Sequence, residues 1–128
     1  MNSTAKEIQV LENFFDTNSP KVNLKILADF FGKSDADIAI ALDLDPSAVS
    51  RNPLATPDGK VKTWLSIFNL IIEIISEADP SLSAEQIKSK MQKWLVLPRP
   101  EFDSQTPLEY MLKGKSRKVK MFLEQQLG

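Results

Sequence analysis

The fold turns on Trp94–Leu127, WLVLPRPEFDSQTPLEYMLKGKSRKVKMFLEQQL. Trp94 and Leu95 lie on the apolar face of a helix that ends at Pro98-Arg99-Pro100, because proline lacks an N–H and its ring clashes with the preceding turn. The next helix is predicted from its punctuation. Thr106 caps, Pro107 takes the first helical position and Glu109 completes a Thr-x-x-Glu capping box. Leu108, Met111 and Leu112 form a short apolar face, and Gly114 stops the helix as a C-terminal glycine. Ser116 opens a last helix, basic in its first half through Arg117, Lys118 and Lys120, with Val119, Phe122, Leu123 and Leu127 as its apolar stripe.

Upstream, Ser83 and Gln86 form a second capping box, opening a helix to about Val96. Ile87, Met91, Trp94 and Leu95 share one face, and Lys88, Lys90 and Lys93 read as its solvated side. Asp79-Pro80 breaks the helix before it. That helix is predicted to start with Thr56 as cap and Pro57 in first position and to run to about Ala78, roughly 30 Å. Its apolar residues, from Val61 through Ile75, exceed a single stripe, which implies burial around much of its circumference as a central strut or a dimer surface.

Further upstream, Ser34 caps a helix over Asp35–Leu42, the turn Asp43-Leu44-Asp45 follows, and Asp45-Pro46 starts a helix to Asn52. Two short helices joined by so short a turn make a helix-turn-helix unit over about 34–52. Asp43 stands where the turn needs a positive φ, which Asp tolerates better than most residues. The second helix would offer Ser47, Ser50, Arg51 and Asn52 to base edges and phosphates. Before this unit, Thr4 to Glu7 read as a capping box for a first helix to about Phe15, and a second helix spans about Leu24 to Phe31, ending at Gly32. The chain is therefore expected to be all-α: a helix-turn-helix-containing N-terminal part, residues 1–58, joined by the long helix to a small helical C-terminal domain within 59–128.

Composition narrows the chemistry. With no Cys and no His, Cys-His and Ser-His nucleophile pairs and the common zinc sites are impossible. The four glycines are scattered, so no glycine-rich phosphate loop exists. An enzyme is not expected, and no cofactor is implied. The apolar stretch Val61–Ile75 is interrupted by Lys62, Ser66, Asn69 and Glu73, too short and too polar for a membrane span. Without a secretory leader pattern the default location is cytoplasmic. Charge is uneven: residues 1–59 hold five basic groups against nine acidic ones, a net of −4, while residues 60–128 carry a net of +3. DNA affinity rests largely on phosphate neutralisation, so the N-terminal half is poorly supplied for it, although Lys60 and Lys62 lie just beyond to grip a backbone.

The ordered series Trp94-Leu95, Pro98-Arg99-Pro100, Thr106-Pro107-Leu108-Glu109 and Gly114-Lys115 resembles the C-terminal toxin-binding domain of Xre/MbcA/ParS-type antitoxins. The resemblance covers about the last forty residues closely and the helix-turn-helix part more loosely. One departure is Asp103-Ser104-Gln105, where the family often has Gly-Gly or Asp-Gly before Thr-Pro. The resemblance implies a homodimeric antitoxin of a type II toxin-antitoxin system that sterically blocks a cognate toxin, often a RES-domain enzyme, and represses its own promoter by binding operator DNA. It points to Arg99, Phe102, Thr106, Lys113, Gly114 and Lys115 as toxin-facing, with the chain end Gln125, Gln126, Leu127 and Gly128 beside them. The alternatives are a stand-alone helix-turn-helix transcriptional regulator and an adaptor or inhibitor whose helix-turn-helix is only scaffold.

Overall fold

In the computed structural model, residues 5–127 are described, and they are mostly helical. The helices are α1 (Ala5–Glu12), α2 (Leu24–Phe31), α3 (Asp35–Ala41), α4 (Pro46–Arg51), α5 (Gly59–Ala78), α6 (Ala84–Val96), α7 (Pro107–Leu112) and α8 (Ser116–Leu127). A 3-10 turn covers Pro100–Phe102. The all-α expectation holds. The Thr4 cap and Gly128 lie outside the described residues.

Capping chemistry fixes most of these boundaries. Ser34 Oγ accepts from the Asp37 N–H at 3.1 Å, and Asp45 Oδ1 accepts from the Ser47 N–H at 2.9 Å. Two of the three expected capping boxes, at Ser83/Gln86 and at Thr106/Glu109, close reciprocally. At the far ends, α2 and α7 finish on left-handed glycines, Gly32 and Gly114. The Lys115 N–H reaches back to the Tyr110 carbonyl and the Gly114 N–H to that of Met111, the pairing that satisfies a helix's last carbonyls. The helix-turn-helix turn uses the same device without glycine. Asp43 has φ 59°, and the Leu44 N–H donates to the Ala39 carbonyl at 2.8 Å.

Two boundaries differ from expectation. The first helix ends at Glu12, and Phe15 instead pairs with Val22 in an isolated bridge. The long helix starts at Gly59 with Asp58 at its cap, two residues later than Thr56-Pro57 implied. Leu54–Ala55 is drawn off into a two-stranded antiparallel pairing, β2, against Val22–Asn23, β1. The Leu24 N–H also donates to the Pro53 carbonyl. This small clasp closes the chain around α2, α3 and α4.

The core is continuous across the two expected parts. Phe14, Phe30, Phe31, Trp64 and Phe68 form an aromatic cluster with edge and tilted contacts, the arrangement that ring quadrupoles favour. Helix α5 is the strut around which it assembles. No residue of α5 from 63 to 76 is exposed, and Ile67, Phe68 and Ile72 are wholly buried. Lys6 Nζ donates to the Pro80 and Leu82 carbonyls, tying α1 to the α5–α6 loop, while Gln92 Nε2 donates to the Phe30 carbonyl at 2.6 Å, tying α6 to α2. Helix α8 lies along α5 in parallel sense. Gly114, before its start, lies close to Lys60, and Phe122, Leu123 and Gln126 share a groove with Ile71, Ile74 and Ile75. Among the described residues no helix is long and apolar enough to cross a membrane.

Candidate functional site

The C-terminal half of α5, the end of α6 and α8 leave between them a groove of about 430 Å³. Ile74 and Ile75 come from α5, Trp94 from α6, and Phe122 and Leu123 from α8; Leu97, just past α6, is 56% exposed at its mouth. Lys90, Lys93 and Arg99 also line it, and no acidic side chain among the described residues does. The combination follows from local sequence. An amphipathic α6 must turn one edge of its apolar face past the core, and the prolines at 98 and 100 end the chain's cover there.

Arg99 is the most constrained of these groups. Its guanidinium carbon lies 5.3 Å from the Trp94 ring centre and 5.7 Å from that of Phe122. The two rings are near-parallel, at 21°, with centres 6.4 Å apart. Phe102 meets both edge-on from beneath. Arg99 Nη2 pairs with Glu101 at 3.3 Å, while its buried Nε finds no acceptor. The loop that presents it folds back on itself: the Arg99 N–H donates to the Gln105 carbonyl and the Ser104 N–H to that of Arg99. Asp103 and Ser104 both take left-handed conformations, φ 55° and 63°, so this chain departs from glycine at 103–105 while keeping a backbone that glycine would serve. The Tyr110 hydroxyl donates to Asp103 Oδ2 at 2.8 Å, and this bond, with burial and the Asp103 charge adding to it, pushes the Tyr110 hydroxyl above the ordinary tyrosine range.

The described residues expected to face a toxin do not form one patch. Arg99 and Gln126 line the groove. Phe102 is only 2% exposed and supports Arg99 from within, and the Thr106 hydroxyl is engaged in its cap. Lys113, Gly114 and Lys115 lie at the α7–α8 turn, by Lys60 at the other end of α8; Lys113 Nζ donates to Gln105 Oε1 and Lys115 Nζ lies over the Tyr110 ring. Gln125 is exposed and Leu127 half-buried.

On the N-terminal part, Ser47, Ser50, Arg51 and Asn52 are all exposed, with Val49 turned inward. Asn52 Oδ1 is occupied by the Leu54 N–H. A second groove beside this helix is lined by Asp43, Asp45 and Asp58 with Lys60, and Lys60 pairs with Asp43 at 3.1 Å instead of standing free for a phosphate. No family model, curated protein or solved structure matches the chain. The geometry therefore stands alone. Lys90 and Lys93 are exposed, as the solvated side of α6 was expected to be, and Trp94 is half-buried. That the two lysines also border an apolar groove was not foreseen; the available signal was the density of apolar residues on α5 facing an α8 with few to cover them.

Proposed function

We propose that this chain is an antitoxin-type inhibitor: its C-terminal part binds a toxin protein, a RES-type enzyme foremost, and blocks it by occupying the substrate entrance. The observation that supports this reading is the basic-rimmed apolar groove carrying Arg99, which lies within the stretch that resembles the antitoxin domain. Steric inhibition asks no catalytic group of the inhibitor, in keeping with a chain that lacks Cys and His. The proposed protein works in the cytoplasm as a homodimer, where the exposed α4 face would allow repression of its own promoter. Co-expression with a RES-type toxin that arrests growth, taken from the gene next to this chain's own, tests the reading; a neighbouring gene that encodes no toxin-like protein counts against it. The wild-type chain is expected to restore growth and to co-purify with that enzyme, and Phe122→Lys to do neither; growth arrest unaffected by the wild-type chain contradicts it.

A second reading, a stand-alone transcriptional regulator, is favoured by the exposure of Ser47, Ser50 and Arg51 along one side of α4. Asp43, Asp45 and Asp58 nearby oppose it electrostatically. Salt-dependent operator binding that is lost in Arg51→Ala would support it; absence of any such binding would leave the helix-turn-helix as scaffold for an adaptor.

A further inference from the structure

We propose that the groove between α5, α6 and α8 takes an amphipathic helix of a partner protein whose apolar stripe is flanked by carboxylates. The inference rests on reading this face as protein-binding, but not on the partner being a toxin. Shape argues for a helix. Two helices side by side, α5 and α8, leave a valley into which a third helix packs by ridge and groove, and the groove presents no strand edge for an extended segment to pair with. Its floor is apolar and only partly covered, with Trp94 and Phe122 half-buried and Leu97 exposed.

Charge argues for carboxylates. Among the described residues, Lys90, Lys93 and Arg99 are the only charged groups lining the groove. Lys90 and Lys93 stand one turn apart on α6, spacing that matches two carboxylates one turn apart on a facing helix. Neither forms an ion pair among the described residues. Arg99 already sits beside two aromatic rings and is about one-third exposed, so part of its side-chain freedom is already lost before binding. Its contact with Glu101 is a single bond at 3.3 Å between partly exposed groups, which a partner carboxylate can replace without leaving a buried charge alone. Glu101 thus serves as an internal stand-in for the ligand.

The test uses the full chain and two labelled designed peptides of about four helical turns, each with a leucine stripe, one flanked by glutamates and the other by lysines. The acidic peptide is expected to bind in the micromolar range, about tenfold more weakly to Lys90→Glu/Lys93→Glu, and more weakly as salt rises. The basic peptide is expected to bind only that doubly reversed variant. Both lysines are exposed, so the reversal leaves the fold intact, which circular dichroism checks. Equal binding of the two peptides, or acidic-peptide binding indifferent to the reversal, overturns the proposal. So does concentration-dependent self-association abolished by Phe122→Lys, which assigns the groove to a second copy of the chain. Tighter binding to phosphatidylserine vesicles than to the acidic peptide likewise overturns it. Peptide binding without rescue from any toxin removes only the antitoxin reading.

Discussion

At the scale of single residues, the left-handed positions carry the most local tension. Gly32 and Gly114 take φ of 66° and 81° without steric cost, whereas Asp43, Asp103 and Ser104 crowd a Cβ against the backbone. Ser104, at φ 63°, has none of Asp's tolerance for this region, so Ser104→Gly is expected to stabilise the fold by about 0.5–1 kcal/mol. Ser104→Val should destabilise it by a similar or larger amount, and urea denaturation reads both. Asp43 was legible in advance because its place in the turn demanded a positive φ. The pair Asp103-Ser104 was visible only as a departure from a pattern, since nothing in those two residue types dictates where the loop closes. The Tyr110–Asp103 bond gives a pH signature. Because the folded hydroxyl titrates above its ordinary value of 10.0, the bond contributes stability below pH 10 and loses it as pH rises through the folded value. The melting temperature should therefore fall on the alkaline side, and Tyr110→Phe should flatten that fall.

At the scale of elements, helix identity was written in caps and apolar spacing. The side-chain oxygens of Ser34, Asp45, Ser83 and Thr106 each accept a backbone N–H at a helix start, as expected. The β1–β2 clasp was not legible: two residues per strand show no alternation, and its stability comes from tertiary closure around α2–α4. That closure also displaced the start of α5, since Leu54–Ala55 had to stay extended and Thr56-Pro57 became the connection. Within α5 the two sides should respond differently. Ile72 is wholly buried, so Ile72→Ala is expected to cost about 2–5 kcal/mol. Ile74 is half-buried on the groove side, so Ile74→Ala should cost about 1 kcal/mol or less while weakening partner binding. Equilibrium unfolding and a binding titration on the same two variants separate the roles.

At the scale of the molecule, α5 carries the two candidate surfaces toward its opposite ends. Lys60 and Val61 border the acidic groove by the helix-turn-helix, and Ile71 to Ile75 border the basic-rimmed one, a separation of about 20 Å along the axis. Net charge follows the same division, −4 before residue 60 and +3 from it onward. The division was legible in composition, but the groove was not, because it depends on how far α8 covers α5 and α6. The resemblance singled out Arg99 by its place in a motif; the aromatic neighbours that surround it, Trp94 and Phe122, come from α6 and α8 packing together and were not legible in that motif. Hydrogen–deuterium exchange on the chain alone and mixed with the proposed RES-type toxin tests the central claim most directly. The account predicts slowed exchange over residues 70–75, 90–99 and 116–127, with α4 unchanged. Protection confined to α3 and α4, with the groove exchanging as in the free chain, would contradict it.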